Sequence, residues 1–399
     1  MPGPLDGIRV LDLTSMISGP MAAMILADQG ADVIKIEPPD GDLMRHFGAL
    51  HKGMSSSFMS NNHGKRSLAV DLKAPAGLEI VRRLAATADA LLQNFRPGAI
   101  ERMGLGEATV RVIKPDIVFV SISGFGERGP YADQRVYDPV IQAVSGLAEI
   151  QADRPSGHPR MVRTTIPDMT TAVTAAQAIT AALFARERTG QGQHVQLAML
   201  DTMVAFLWPE ASSSLSFVGN ERDPARGQMG LDLVFKTADR YITAGAVSDK
   251  EWQGLCRALN RTDLVSDERF ATPVARSLNV GQRRALMADE IAKWPSAEIL
   301  SRLRSESVPC GPVLSRTEVL ADEQVVLNGI IEVRDDPVLG PVRQPRPAAR
   351  FSATPASIGR LAPFLGAHNA EIMTELGYAA ADVEHFTQSG VLVTQPATG

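Results

Sequence analysis

Apolar residues in the first third of the chain occur in short runs, and these runs alternate with segments in which apolar residues recur at helical spacing. The strand-like runs lie at residues 8–13, 31–37, 88–95 and 116–124. The helix-like segments lie at residues 20–30, 77–88 and 108–114. Strands that alternate with helices form parallel sheets with crossover connections. The pattern therefore predicts an α/β fold, built on a Rossmann-like doubly wound parallel sheet.

A longer helix is predicted from Met169 to Arg188, where small and apolar residues recur at helical spacing and Gly190 follows as a stop. Asp168 therefore stands at or next to the amino-terminal cap of this helix. Residues 194–200 then predict a strand, and an apolar helix follows before Pro209. The Asp168 carboxylate is thus placed at a helix end, where it can serve as a cap or as a reactive group.

The hydrophobic pattern changes after Pro209, which indicates a second domain. We predict a large domain at residues 1–210, a small α+β domain at 226–328, and a C-terminal segment at 329–399 that returns to the large domain. The small domain is predicted to contain a strand, three helices and a turn, at residues 241–247, 251–260, 281–294, 297–306 and 308–313.

Composition narrows the class of protein. The 399 residues are 44% hydrophobic and 21% charged, which is typical of soluble globular domains with sizeable cores. A formal net charge of -5 gives no general attraction to nucleic acid or to an anionic membrane. We therefore expect no nucleic-acid partner and no membrane partner, so an anionic ligand has to be held by a local basic site.

Cysteine and histidine usage excludes further classes. Cys256 and Cys310 lack the paired spacing of a disulfide framework, a zinc site or a redox motif, and the seven histidines form no metal pattern. His194 begins a predicted strand and is interpreted as structural. The first residues lack the basic and apolar regions of an export signal. We expect no bound metal, no permanently bound cofactor and a cytoplasmic location.

The segment that begins at Asp168, DMTTAVTAAQAITAALFARERTGQGQHVQLAMLDTMVAFLW, resembles the stretch carrying the catalytic aspartate in the family III CoA-transferases, the CaiB/BaiF group. Other landmarks of that family are similar and keep its order: PLDGIRVLDLTSMISGPMAAMILADQGADVIKIEPPDGD, NHGKRSLAVDLKAPAG, NFRPGAIERMGLG, SISGFGERGPYADQRVYDPVIQAVSGL and GAHNAEIMTELGY. The resemblance runs from Pro4 to about Tyr378. It implies an acyl-CoA:carboxylate CoA-transferase that uses acyl-CoA and a small carboxylic acid, and two chains interlocked as a homodimer.

The resemblance further implies that Asp168 attacks the acyl-CoA thioester, giving a mixed anhydride and then an aspartyl-CoA thioester. A carboxylate is a weak nucleophile, so it needs to be ionised, oriented and close to donors that stabilise an oxyanion. We expect the helix N-terminus to supply donors and to keep Asp168 charged near neutral pH. Asp138 matches an acidic residue near the nucleophile in some transferases. Its alternative role is the N-cap of its own helix, with Pro139 as the first helical residue.

Coenzyme A carries phosphates and an adenine, so its site needs cations and a flat or apolar slot. The resemblance implies CoA contacts at Met16, Val70, Lys73, Asn94, Phe95, Arg102, Met103, Arg135 and Met199. The alternative for each basic residue is a solvated surface charge, and for Met103 and Met199 it is core packing. Some family members carry a CoA-contacting arginine where this chain has Pro38, and Arg45 is a candidate replacement.

The sequence also bears on other functions. A 2-methylacyl-CoA racemase of the same fold needs a histidine where Tyr137 stands, and a tyrosine is a poor base at neutral pH. A nicotinamide dehydrogenase is suggested by the first βαβ unit and by Glu37, but TSMISGP has a single glycine where the dinucleotide fingerprint needs several. Formyl-CoA:oxalate transferases carry a glutamine at the Ile17 position and a glycine-rich lid where GQMGLDL stands. The acceptor acid is therefore undetermined.

Overall fold

The computed structural model describes residues 2–153, 156–221 and 233–395. The chain divides into two compact units. Unit 1 comprises Met1–Pro209 and Gly329–Gly399, and unit 2 comprises Glu210–Asn328. Unit 2 is thus inserted into the sequence of unit 1, and its ends join unit 1 through two chain connections.

The strands of the described residues are, in chain order, β1 (Arg9–Asp12), β2 (Asp32–Glu37), β3 (Leu50–His51), β4 (Met54–Ser55), β5 (Arg66–Ala69), β6 (Ala90–Gln93), β7 (Val118–Ser123), β8 (His194–Ala198), β9 (Val234–Lys236), β10 (Tyr241–Ala244), β11 (Cys310–Pro312), β12 (Ile331–Asp336) and β13 (Gly340–Pro345). The helices are α1 (Ser18–Asp28), α2 (Ser56–Asn62), α3 (Pro75–Ala86), α4 (Ala99–Arg102), α5 (Glu107–Ile113), α6 (Asp138–Val144), α7 (Leu147–Ile150), α8 (Ile166–Thr189), α9 (Met199–Leu207), α10 (Asp249–Ala258), α11 (Pro273–Leu278), α12 (Val280–Ile291), α13 (Ser296–Ser305), α14 (Glu323–Leu327), α15 (Asn369–Glu375) and α16 (Ala380–Gln388).

Unit 1 is built on a six-stranded sheet in the order β5-β2-β1-β6-β7-β8, and every adjacent pair is parallel. The sequence pattern predicted this parallel α/β sheet, and the prediction is confirmed. Two apolar cores contain alternate residues of the same strands. Leu11 and Leu91 belong to one core with α3 and α5, whereas Val10 and Leu92 belong to the other with α1 and α8. Both faces are buried because successive strand side chains point to opposite sides.

Unit 2 contains a three-stranded antiparallel sheet in the order β11-β10-β9, with α10, α12 and α13 packed around a separate apolar core. Trp252 and Phe270 are among its fully enclosed aromatic residues. The start of α10 carries a capping box formed by Ser248 and Glu251. Unit 2 therefore has the local signals and the core of an α+β unit.

The structure contains strands that the sequence pattern did not predict, and β11 and β5 illustrate the reasons. Residues 308–313, predicted as a turn, contain β11, which pairs with β10 through Cys310, Gly311 and Pro312. The edge position of β11 explains how proline is tolerated there, since an edge strand has unpaired positions. The edge strand β5 was not predicted, because its four residues, Arg66–Ala69, give too short an apolar signal beside a lysine and an arginine.

Candidate active site

The carboxyl ends of β1 and β6 mark the point where the strand order reverses. From β1 the sheet extends through β2 to β5 on one side, and through β6 and β7 to β8 on the other. Ligands of doubly wound sheets bind in the crevice at such a switch point. The loops concerned are residues 13–17 after β1 and residues 94–98 after β6.

Asn94 connects these two loops. Its side-chain oxygen accepts from the Ser15 amide at 2.9 Å, and its side-chain nitrogen donates to the Ser15 carbonyl at 2.8 Å. The next residue of the first loop, Met16, has a φ of 72°, a left-handed conformation that non-glycine residues seldom adopt. Its amide donates to Asp42 at 3.2 Å. The switch-point loop is therefore fixed by side chains from two neighbouring segments.

Asp168 lies in the first turn of α8, partly exposed, after Thr165 in the N-cap position. The hydroxyl and the backbone amide of Ser18 lie near its carboxylate and lower its pKa as hydrogen-bond donors. Ser18 is the first residue of α1, and α1 packs along α8. The Asp168 carboxylate is therefore directed at the amino end of a neighbouring helix. Donors at such an end suit an anion and an oxyanion that develops from it.

Asp138 stands beside Asp168 but does not cap its own helix. Tyr137 takes the N-cap position of α6, and Asp138 is the first helical residue. The buried Asp138 carboxylate accepts from the Asp168 amide at 3.1 Å and from the Gln142 side chain at 2.7 Å. It therefore satisfies a free amide at the start of α8, the neighbouring helix. The alternative role of Asp138 as N-cap of α6 is therefore wrong, since Tyr137 holds that position.

Gln142 extends this arrangement to the segment that leads into α8. Its side-chain nitrogen donates to the carbonyls of Val162 and Thr164 at 3.3 and 3.2 Å, and its side-chain oxygen accepts from the Val162 amide at 2.9 Å. The chain before Asp168 is thus held against α6 by one buried amide side chain. The position of Asp168 depends on Gln142 as well as on Asp138.

The surroundings of the Asp168 carboxylate change its pKa. The pKa of Asp168 is raised to about 6, mainly by burial and then by the charge of Asp138, while hydrogen bonds from Ser18 oppose the increase. The donors at the helix ends are outweighed, because desolvation and a like charge both disfavour the ionised form. At pH 7 most of the carboxylate is still ionised. Asp168 is thus an anion whose charge is only weakly stabilised, which suits a nucleophile.

Comparisons with known proteins agree over nearly the whole chain. A family model described as CoA-transferase family III matches residues 5–369. The chain belongs to the family III CoA-transferases.

The relatives extend this finding. The chain is 36% identical over 389 residues to a succinate–glutarate CoA-transferase of Agrobacterium fabrum, covering 94% of this chain and 96% of the relative. It is 34% identical over 387 residues to a succinyl-CoA–D-citramalate CoA-transferase of Chloroflexus aurantiacus, covering 94% of each chain. A solved CaiB/BaiF family protein from Brucella suis superposes with a TM-score of 0.83 at 33% identity, covering 94% of this chain and all of that one.

The chain is therefore an enzyme, and the predicted acyl-CoA:carboxylate CoA-transferase activity is confirmed. The dehydrogenase hypothesis for the first βαβ unit is not retained, and the racemase alternative is not favoured. Tyr137, which stands where a racemase needs histidine, is 62% exposed. The acyl-CoA substrate of this family is anionic, so its binding site needs cations as well as apolar contacts.

Several residues predicted to contact CoA lie at or near the switch point of this CoA-transferase. Asn94 and Phe95 directly follow β6, and Phe95 is half-buried against the core. Arg102 ends α4 and is exposed, while Met103 is half-buried. Lys73 is exposed in the turn before α3. These positions combine cations with partly covered apolar side chains.

Three other predicted CoA contacts have different surroundings. Val70 is fully buried in the core and pairs with Leu392 in an isolated bridge, so its side chain has no surface for a ligand. Met199 begins α9 and packs against Ile141. Arg135 is exposed before α6. Val70 and Met199 thus pack inside unit 1, and Arg135 is free to face a ligand.

Arg45 does not supply the cation missing at Pro38. Two of its guanidinium nitrogens, Nε and Nη2, donate to the carboxylate oxygens of Glu37 at 2.7 Å each, and Nη1 donates to the Pro363 carbonyl at 3.1 Å. The guanidinium also lies 3.7 Å from the centre of the Phe58 ring. All three nitrogens are already engaged, so Arg45 orders the loop after β2. Of the lid segment GQMGLDL, residues 227–232 lie outside the described part of the chain.

Sequence reasoning missed two groups of residues. Ser18 and Gln142 were not singled out, because a serine before a helix and a glutamine within one are ordinary. Lys35 and Lys65 were missed as well, although a lysine inside an apolar strand such as ADVIKIE is a signal of a buried charge. Among the described residues, no cluster of three metal-ligating side chains is found, and no helix is long and apolar enough to span a bilayer.

Proposed function

We propose that this enzyme transfers coenzyme A from a succinyl-CoA-type donor to a short dicarboxylic acid, with Asp168 as the nucleophile. One observation carries the nucleophile assignment. The partly exposed Asp168 carboxylate lies where the start of α8 meets Ser18, the first residue of α1. It therefore has access from solvent and hydrogen-bond donors at the start of α1.

The reaction proceeds in four acyl-transfer steps. Asp168 attacks the thioester carbonyl, and the C–S bond breaks to give a mixed anhydride and a CoA thiolate. The thiolate attacks the Asp168 carbonyl, releases the donor acid as its carboxylate and leaves an aspartyl-CoA thioester. The acceptor carboxylate attacks this thioester, giving a second anhydride and the thiolate. The thiolate attacks the acceptor carbonyl, which yields the new acyl-CoA and restores Asp168.

Ser18 and Asp138 have distinct parts in this sequence. The Ser18 amide and hydroxyl stabilise the oxyanion that forms on Asp168 when the thiolate or acceptor attacks its carbonyl. Asp138 accepts a hydrogen bond from the Asp168 amide. Its negative charge raises the pKa of Asp168 and so keeps the carboxylate basic enough to act as a nucleophile. We assign CoA binding to Asn94, Phe95 and Arg102 at the switch point, with Lys73, Met103, Arg135 and the backbone of Met16 contributing.

The substrate class follows from the relatives and from charge. The relatives named above act on succinate, glutarate or D-citramalate, all of which carry two carboxylates. The second carboxylate of such an acid needs a cation. Arg135 and Arg163 are exposed and shortly precede Asp138 and Asp168, respectively. Because Arg135 is assigned to CoA, we propose that Arg163 binds the distal carboxylate.

The interlocked homodimer is also a proposal, and we place the enzyme in the cytoplasm. Helices α8 and α9 leave large apolar side chains exposed, namely Met169, Val173, Phe184, Val204 and Phe206. Exposed apolar patches mark interaction surfaces. The interlocked form itself follows from the resemblance to the CaiB/BaiF proteins. Light scattering should give twice the chain mass of 42.8 kDa, and a monomer at working concentration would contradict the dimer.

Trapping tests the nucleophile directly. The enzyme is incubated with succinyl-CoA and then with hydroxylamine, and peptide mass spectrometry should find a hydroxamate at Asp168. Glu187→Gln provides a matched control, since Glu187 is an exposed acid at the other end of α8. This variant should be labelled and active like the wild type. Normal turnover by Asp168→Asn would end the assignment, and a panel of mono- and dicarboxylic acceptors tests the substrate class.

A further inference from the structure

Four charged side chains lie buried beneath the loop that follows β1. Asp12 ends β1, Lys35 lies in β2, Lys65 precedes β5, and Asp42 follows β2; together they form the two-lysine network. Lys65 lies 2.7 Å from Asp12, Lys35 lies 2.9 Å from Asp42, and Lys35 lies 3.9 Å from Asp12. These charges alternate in sign through the interior of unit 1.

Such a network is a poor way to gain stability. Desolvation of each buried charge costs several kcal/mol, and apolar residues of equal volume are often as stable or more stable. The network can instead fix the positions of the segments that carry it, because each buried group has fixed partners. Lys65 also donates to the Asn62 side chain at 2.8 Å, so it has three partners and no free direction.

Each member of the network also binds the backbone of the switch-point loop or of α1. Lys35 donates to the Thr14 carbonyl at 2.9 Å, and Asp12 accepts from the Thr14 amide at 3.0 Å. Asp42 accepts from the Met16 amide at 3.2 Å. Lys65 donates to the Pro20 carbonyl, in the first turn of α1, at 2.8 Å. The network therefore holds the chain on both sides of Ser18.

Packing around the loop leaves little tolerance. The left-handed Met16 is maintained directly before Ile17 and Ser18, which indicates that the surroundings impose its conformation. A Cβ atom at Gly19 would come within 2.3 Å of the Thr14 side chain. The loop therefore lies against the start of α1 without space between them, so a shift of Thr14 or Pro20 would move Ser18.

We infer that the two-lysine network is a positioning device for catalysis, which fixes the Ser18 amide and hydroxyl against Asp168. The inference rests on the proposed function, because it assigns Ser18 the donors that the nucleophile uses. None of the four charged groups touches the substrate. They act through the loop that they hold.

The test uses the pH dependence of kcat/KM, which reports the ionisation of Asp168 in the free enzyme. Lys65→Met removes the hydrogen bond to Pro20 and the ion pair with Asp12. Ser18 should then withdraw from Asp168, and the hydrogen bonds that lower the pKa of Asp168 should weaken. We expect the midpoint of the acid limb, where kcat/KM falls with decreasing pH, to rise by roughly 0.5–1 pH unit. We expect kcat to fall about tenfold, since a donor is displaced and not deleted.

Other groups near Asp168 have to be accounted for in this test. Asp138 on α6 is the charged group that acts on Asp168, and α1 contributes the uncharged Ser18. Helix α9 carries the exposed Asp201, and β8 carries His194, which bonds to Ser121 on β7. None of these residues is altered by Lys65→Met.

A double-mutant cycle separates positioning from simple damage to the fold. If Lys65 acts through Ser18, Lys65→Met should add little to the pH shift of Ser18→Ala, so the two shifts should not sum. Arg276→Met is the matched control, because Arg276 is an equally buried cation in the core of unit 2. It should lower stability without moving the acid limb. If Lys65→Met does not fold, Lys65→Gln takes its place, because its amide can still donate to one partner.

The outcomes are distinct. The positioning role would be overturned by an unchanged acid limb in a folded Lys65 variant, or by pH shifts that add to those of Ser18→Ala. In that case an Asp168 hydroxamate in the wild type would still support the nucleophile. Absence of that hydroxamate in the wild type would overturn both. A raised limb that does not add to Ser18→Ala would support the inference.

Discussion

Asp12 and Asp168 are two carboxylates of unit 1 in opposite surroundings. Asp12 is fully buried between Lys65 and Lys35; burial alone would raise the pKa of its carboxyl, but the two lysines outweigh burial and hold it below the usual range. Asp168 is partly exposed and has Asp138 as its charged neighbour, and its pKa is raised to about 6. Burial acts in the same direction on both, so the sign of the neighbouring charge decides the outcome.

The difference separates a structural carboxylate from a reactive one. Two cations share the negative charge of Asp12, so it is a fixed anchor and a poor nucleophile. The charge on Asp168 is met by hydrogen bonds from Ser18, and among the described residues no cation is a cause of its shift. It keeps a higher basicity and an exposed face. Removing each carboxylate should therefore damage a different property.

The largest expected effect is on turnover in Asp168→Asn. Loss of the nucleophile should reduce kcat by at least about 10³-fold. The thermal midpoint should stay the same or rise, because a raised pKa means that the charged form is disfavoured in the folded state. Steady-state kinetics and a melting curve measure both. A melting point several degrees lower would show that Asp168 is structural, contrary to the comparison.

Asp12→Asn should have the opposite profile, with its main effect on stability. Breaking a buried ion pair from one side leaves lysines without compensation, so unfolding should become easier by about 3–5 kcal/mol. Denaturant titration measures this change. Asp6→Asn, on the surface, should leave the denaturation midpoint in place. If Asp12→Asn were as stable as Asp6→Asn, the network would contribute nothing to folding.

The pH profile of Asp138→Asn tests the cause of the Asp168 shift. In the wild type, kcat/KM should fall as the pH drops through about 6, because the nucleophile becomes protonated. An asparagine can still accept from the Asp168 amide but carries no charge. The acid limb should therefore move down by roughly 1 pH unit or less. A limb that stays in place would mean that desolvation alone raises the pKa of Asp168, and a limb that moves up would contradict the electrostatic effect of Asp138.

The smallest effect is on the pH dependence of stability. The pKa of Asp168 in the folded protein lies above its value in the unfolded chain. As the pH falls from about 6 to about 4, the folded protein therefore binds a proton before the unfolded chain does. Across that pH window, the free energy of unfolding of the wild type should increase by roughly 1 kcal/mol relative to Asp168→Asn. This value is reduced because Asp168 is partly accessible to solvent. Unfolding titrations of both proteins at several pH values provide the measurement. Parallel curves would contradict the raised pKa.

Much of unit 1 could be predicted from sequence. The runs around β1, β2, β6 and β7 gave the parallel sheet, because strands buried on both faces are continuously apolar. The helix α8 and its stop at Gly190 were also predicted, and Gly190 has the left-handed conformation expected of a helix stop. β5 and β11 escaped prediction, because short edge strands are specified by their neighbours more than by their own residues.

The candidate site was only partly accessible to sequence reasoning. Asp168 and Asp138 were identified through the family resemblance, but their hydrogen bond joins residues on different helices. Ser18 and Lys65 gave no signal of their own, and the raised pKa of Asp168 ran against the expected effect of a helix end. Arg45 was a reasonable candidate for the missing cation until its partner Glu37 became visible.

The sequence by itself determined the fold class, the family and the nucleophile candidate, because apolar periodicity and ordered motifs are local properties of the chain. Only the tertiary structure decided which charges meet. Asp12, Lys35, Asp42 and Lys65 come from separate segments and neutralise one another. Asp138 and Asp168 come from two helices and repel. A pKa depends on burial and on the sign of neighbours within a few ångströms, and folding alone sets both.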